Sequence, residues 1–207
     1  MSTNLTTTIN SYDKTANEYH ANTLNIDTSE QRNKFLSYLP EKAFILDVGC
    51  GSGRDAKVFS DNGNMVIGID LSKKLLDIAK EYAPQVNFQH MNLLEMCFPN
   101  DSFDGIWAMS VLMHLEKKKL PVAIKKCAKV LEPNGILYFC LKRGTGEGLE
   151  KDSRYDGIEK YFSYYSDEEI PSLLKNTNLT LLSSDTTTID KSYATKPWMN
   201  FYLRKNN

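Results

Sequence analysis

The sequence predicts an α/β protein built on an open, mostly parallel sheet with helices on both faces. Two observations carry that prediction. Short apolar runs of strand length alternate with amphipathic stretches of helix length. The first run, Ala43-Phe44-Ile45-Leu46-Asp47-Val48, is apolar almost throughout and stops at glycines, as a strand buried on both faces should. A length of 207 residues suits one domain with at most a small cap.

Residues 1–10 are rich in Ser, Thr and Asn and are expected to fray. A helix is expected from Tyr12 to His20, and a clearer one over 29–39. In the second, Thr28 and Gln31 fit a capping box, Phe35, Leu36 and Leu39 form the stripe, and Pro40 ends it. After the first strand a helix should run over 54–62 and stop at Gly63. Met65-Val66-Ile67-Gly68-Ile69 is the second strand, and Ser72 caps the helix after it, which Pro84 ends. Val86–Gln89 is a weaker third strand, and Phe103–Ala108 a fourth. A helix over 118–131 tolerates Pro121 in its first turn. Asn134-Gly135 then turns into a fifth strand, Ile136–Leu141. Beyond about 150 the pattern is less regular. It holds a Tyr-rich stretch, a helix over 167–176 opened by Ser166 and Glu169, and strands over 179–184 and 198–203. The organisation expected is a helical cap over 1–40 and a main domain over 41–207, divided near 141–142 into a ligand-binding half and a substrate-side half.

Composition removes several classes of function. The net charge of -1 argues against broad electrostatic binding of DNA or an anionic membrane. No apolar run reaches the roughly 18–20 residues of a membrane helix, and the polar start lacks the character of a signal peptide. Cys50, Cys97, Cys127 and Cys140 form no close pair and are read as reduced thiols of a cytoplasmic protein. His20, His90 and His114 are scattered without ligand spacing, so no metal is expected.

The loop after the first strand reads Asp47-Val48-Gly49-Cys50-Gly51-Ser52-Gly53-Arg54. It fails the dinucleotide fingerprint G-x-G-x-x-G, because Arg54 stands at the third glycine. It also fails the phosphate-cradling pattern, since no Lys-Ser or Lys-Thr follows. What remains is an acid on a strand followed by G-x-G-x-G. Asp70 closes the second strand beside it, and its two acceptor oxygens suit a ribose diol.

On these residues the chain resembles the class I S-adenosylmethionine (SAM)-dependent methyltransferases. Ile45–Gly53 is similar to their first motif and Val66–Ser72 to their second. Asn92-Leu93-Leu94 with Phe98–Asp104 resembles the segment over the adenine, and Leu131–Leu137 the turn into strand five. The matches cover about 40–145. The resemblance implies a Rossmann-like sandwich with a mostly parallel seven-stranded sheet and an antiparallel C-terminal strand. It implies SAM as cofactor and S-adenosylhomocysteine as product. By the same resemblance, the backbone of Gly49, Cys50, Gly51 and Gly53, with Arg54, would pass the methionine part, and Asp47 would support its ammonium. Asp70 would hold the ribose, Leu71 and Leu93 would flank the adenine, and Asn92 would accept from its amino group where the family usually has Asp. Met109 and Ser110 would sit near the sulfonium, with Tyr12 and Tyr19 as a lid.

Methyl transfer needs alignment more than a catalytic triad. Candidates for a catalytic role are His114, Tyr161, Tyr165 and Arg143. The segment Lys142-Arg143-Gly144-Thr145-Gly146-Glu147-Gly148 is expected as a mobile loop above the crevice. Ala108-Met109-Ser110-Val111 lacks the Pro-Pro-aromatic motif of base-amino methylases, and no Cys follows a Pro. A small-molecule acceptor is therefore expected. The alternatives are RNA or protein docked on Lys142, Arg143 and the tyrosines, a nicotinamide-dependent oxidoreductase, and a SAM-binding module without catalysis.

Overall fold

The computed structural model describes residues 3–188 and 196–207. Its helices are α1 (Thr3–Lys14), α2 (Ala16–Thr23), α3 (Ser29–Leu36), α4 (Arg54–Asp61), α5 (Lys73–Tyr82), α6 (Leu120–Val130) and α7 (Ile170–Leu174). Its strands are β1 (Phe44–Val48), β2 (Met65–Asp70), β3 (Asn87–His90), β4 (Phe103–Ala108), β5 (Leu131–Arg143), β6 (Glu147–Asp152), β7 (Ile158–Tyr165), β8 (Leu179–Thr187) and β9 (Trp198–Lys205).

One side of the sheet runs β3-β2-β1-β4-β5, all parallel. Over 136–142, β5 pairs antiparallel with β9, and β9 pairs with β8. This is the mostly parallel sheet with antiparallel C-terminal pairing that the resemblance implies, but the described residues form nine strands, not seven. To it is added a hairpin, β6–β7, which joins the end of β5 through Lys142–Tyr164 and Arg143–Tyr165.

Side chains alternate across the sheet and feed two cores. On one face Leu46, Ile106, Leu137, Phe139 and Phe201 pack under α6. On the other, Ile45, Trp107, Tyr138 and Tyr202 pack with Phe35 of α3 and Phe59 of α4. Trp107 and Tyr138 stack with centroids 4.0 Å apart. Strands that must satisfy two cores have little room for polar residues, so their sequences read as continuous apolar runs.

Several expectations are corrected. Residues 3–10 are not frayed but form most of α1; Met1 and Ser2 lie outside the described residues. The Tyr12–His20 helix is divided between α1 and α2. The Thr28–Gln31 capping box does not form. The Thr28 hydroxyl donates to Asp55, Gln31 reaches Thr187, and Asp27 accepts the N–H of Ser29 instead. The segment from Lys142 is no loop: Lys142 and Arg143 finish β5 and a short turn leads into β6. The box at Ser166 and Glu169 does form.

Candidate functional site

β1 lies between β2 and β4, where the chain reverses its direction of progress across the sheet. Ligand crevices open at such a point, beyond the carboxyl ends of the strands. Here those ends are Gly49 after β1, Asp70 of β2, Met109 and Ser110 after β4, and Lys142 near the end of β5.

The glycine loop needs its glycines. Gly49 has φ +69°, and a Cβ there would fall 2.5 Å from the Val111 Cβ. Gly51, at φ +53°, lies under the Tyr19 ring. Asp70 fixes the loop from the side. Its Oδ2 accepts from Gly51 N at 2.9 Å and its Oδ1 from Ser72 N at 2.8 Å. Each carboxylate oxygen keeps a further lone-pair direction for a ligand.

Asp47 is buried at 3% exposure, and its Oδ2 has no hydrogen-bond partner. Burial, then the charge of Asp55, raises its pKa well above the ordinary carboxylate range. A dry, orphaned carboxylate oxygen beside a cavity is a receptor for a cation that carries N–H donors.

Two cavities meet here. The smaller, about 90 Å³, is apolar and is bounded by Ile69, Leu71, Leu93 and Met91, with Asp70 and Asn92 at its rim. Asn92 Oδ1 accepts from Leu94 N at 3.0 Å and keeps one further lone pair. The larger, about 370 Å³, is bounded by Asp47, Cys50, Arg54, Lys142, Phe162 and Trp198 among others. Both are lined by Gly49, Met109 and Ser110 and roofed by Tyr12 and Tyr19, whose rings meet edge-on at 5.2 Å. Ser110 holds φ +57°, and its N–H points to the Cys140 sulfur at 3.2 Å.

The roof is pinned. His114 Nδ1 faces the Tyr161 carbonyl oxygen at 2.7 Å, which can only accept, so Nδ1 carries the proton. Nε2 therefore accepts from the Tyr12 hydroxyl, 2.9 Å away. Burial, the largest effect, brings the His114 pKa down to about 3. His114 is thus a neutral fastener for Tyr12, with both ring nitrogens engaged. Thr8 and Ser11 tie α1 to β7, by accepting from Tyr161 N at 2.9 Å and donating to the Glu159 carbonyl.

Three other candidates are not in the lining of either cavity. Arg143 is exposed and pairs with Asp167 at 2.9 Å. Tyr161 and Tyr165 fall on the face of β7 opposite Phe162 and Tyr164, because a strand alternates. Tyr165 joins the α6-side core. Arg54 does line the larger cavity, but it is largely committed to Asp55 through Nε and an NH group, at 3.0 and 2.8 Å.

Sequence reasoning missed the Asp55 node. This buried carboxylate also accepts from Trp107 Nε1 at 3.1 Å and Arg32 at 2.8 Å. Its several cationic and N–H donors keep its pKa below the usual range against the effect of burial. It also missed Trp198, Glu150 and Arg154 in the larger cavity. No local motif marks them, since they reach the site through β6, the turn after it and β9. Among the described residues no cluster of metal-ligating side chains gathers, and no helix is long and apolar enough to cross a membrane.

Comparison with known proteins bears on this site. Residues 46–139 match a family model described as "Methyltransferase domain". A ubiquinone biosynthesis O-methyltransferase from Coxiella burnetii is 34% identical over 99 residues, covering 46% of this chain and 42% of the relative. A 27-O-demethylrifamycin SV methyltransferase from Amycolatopsis mediterranei is 32% identical over 142 residues, covering 63% and 52%. The chain therefore spans about half the length of these curated relatives. The solved structure of a Burkholderia thailandensis 1,6-didemethyltoxoflavin-N1-methyltransferase, with S-adenosylhomocysteine bound, superimposes with TM-score 0.76. That likeness covers 98% of this chain and 88% of the other at 17% identity, and speaks for the fold.

Proposed function

We propose, from the match of residues 46–139 to the methyltransferase domain model, that the chain is a SAM-dependent methyltransferase acting on a small molecule at an N, O or S nucleophile. The observation that carries the reading is the pair of cavities sharing Gly49, Met109 and Ser110.

The residues present fit SAM. The orphaned Asp47 oxygen is a place for its ammonium, and the free lone pairs of Asp70 suit its ribose. The apolar slot at Leu71 and Leu93 suits adenine, with Asn92 at its rim and one amide lone pair left to accept. Gly49, Cys50 and Gly51 give the backbone its close approach and Arg54 closes the loop, whereas Gly53, at φ +84° and packed against Phe88 and Ala79, lines neither cavity. When bound, SAM supplies an electrophilic methyl group. The chain's own residues then align and enclose. Asp47 and Asp70 grip from opposite ends, while Met109 and Ser110 line the junction where the acceptor would meet the methyl. Tyr12 and Tyr19 cover it and exclude water. On this reading α1 and α2 form the lid, while α3 packs on the sheet through Phe35, 41–141 is the cofactor half, and the substrate wall is drawn from 142–207.

The product would be S-adenosylhomocysteine, and the reading is of a cytoplasmic protein without a metal. No side chain is assigned as base, since His114 is engaged on both nitrogens. The surface that RNA or protein would need at Lys142, Arg143 and the tyrosines is dispersed, which favours a small acceptor.

The test is incubation with methyl-labelled SAM and a metabolite extract from cells. Label should appear in a small molecule, with stoichiometric S-adenosylhomocysteine. Label in RNA or protein, or absence of SAM binding by calorimetry, would overturn the reading.

A further inference from the structure

Lys142 occupies an unusual place in the fold. It stands where β5 passes from pairing with β9 to pairing with β7, opposite Trp198 on one side and Tyr164 on the other. Its Nζ lies 4.2 Å from the Phe162 ring centroid and 5.5 Å from that of Trp198. No carboxylate of the described residues stands within ion-pair distance of it.

The acids nearest to it are committed elsewhere. Glu150 accepts from the Tyr164 hydroxyl at 2.5 Å. Asp152 is shared by Arg154, at 2.6 Å, and the buried Lys160, at 3.2 Å. Among the described residues the other cations facing Lys142 are Arg154, Lys160 and Lys196, the last placed over the Tyr164 ring at 3.2 Å. Burial first, and then the Arg154 charge, lowers the Lys142 pKa to about 8. Among the described residues this ammonium thus lies against aromatic rings, partly dehydrated and without an anion. Such a group gains most from an incoming negative charge. Beside it Met113, Phe162 and Tyr164 form a small apolar cluster with Trp198, a flat wall for an unsaturated ring.

We propose that the acceptor is an aromatic or heteroaromatic acid, its ring against Phe162 and Trp198 and its anionic group on Lys142. Lys142 is then a specificity-determining residue of the larger cavity, not part of the grip on SAM. This rests on the methyltransferase reading, and the experiment separates the two.

S-adenosylhomocysteine is first titrated into the protein by calorimetry, and its binding tests the parent reading alone. The saturated protein is then titrated with 2-naphthoate and, separately, with the uncharged 2-naphthamide. The acid should bind at least tenfold more tightly. Lys142→Met should abolish that preference without changing affinity for S-adenosylhomocysteine, and Lys142→Arg should restore most of it. Equal affinity for acid and amide, no measurable binding of either, or a preference that survives Lys142→Met would overturn the assignment. The acid–amide comparison uses the unaltered protein, so the test stands even if a variant fails to fold.

Discussion

Asp70→Asn separates two jobs that one carboxylate performs. The substitution keeps the shape and removes the charge. In the native protein Oδ1 and Oδ2 each accept one backbone N–H, from Ser72 and from Gly51. An amide has one oxygen, so one of these N–H groups must face an NH2 group. The loss is one charge-assisted bond to the loop, about 1.5–3 kcal/mol of stability. The ribose would meet the same change, with one acceptor fewer and no charge on the other. Affinity for S-adenosylhomocysteine should therefore fall by about 1.5–3 kcal/mol, roughly 10- to 150-fold. Thermal unfolding without ligand reads the first effect, and calorimetry well below the unfolding temperature reads the second. A lowered midpoint with affinity changed less than twofold would mean that Asp70 serves the loop only. The ribose role would then be wrong, whatever the fate of the loop.

Gly49→Ala adds a Cβ against Val111 at a positive φ. The left-handed backbone costs about 1–2 kcal/mol and the overlap about 1–3 kcal/mol, so both stability and S-adenosylhomocysteine affinity should drop. A variant with unchanged melting and binding would show that the loop yields freely. The His114 pKa, lowered from 6.5 to about 3, sets a pH dependence. Below about pH 6.5 the unfolded chain takes up a proton that the folded one refuses, so this contribution to stability is complete above 6.5 and lost as pH falls toward 3. The loss is up to about 4–5 kcal/mol. Denaturant titrations should show a shallower acid limb for His114→Gln than for the unaltered protein, and parallel limbs would rule the histidine out as its source.

The parts legible in the sequence are those whose physics is local or repetitive. β1, β2, β4 and the 136–141 part of β5 announce themselves because each must be apolar on both faces. Ser72 caps α5 through a bond three residues away, to Leu75 N, and a pattern of that range can be read directly. The glycine loop was equally legible, since Gly49 and Gly51 answer to backbone geometry at their own positions. What escaped depends on distant partners. Thr28 looks like a helix cap but spends its hydroxyl on Asp55, 27 residues on. α1 carries only a sparse apolar stripe, Leu5, Ile9 and Tyr12, and is held by Thr8 and Ser11 against a strand some 150 residues later. β7 carries aromatic residues on both faces, Phe162 and Tyr164 on one and Tyr161 and Tyr165 on the other, so no alternation of polar and apolar marked it as a strand. That same blur made Tyr161 and Tyr165 resemble site residues. β6 offered still less, with Leu149 exposed and charges around it.

The fastening of α1 links events that the sequence keeps far apart. This helix is bonded to the β7 backbone along one side, and at its end Asp13 accepts from the Ser72 hydroxyl and Lys74 N at the start of α5. Under the proposed reading, a spent cofactor leaving beneath Tyr12 would have to pass a strap whose other anchorage is the strand carrying Phe162.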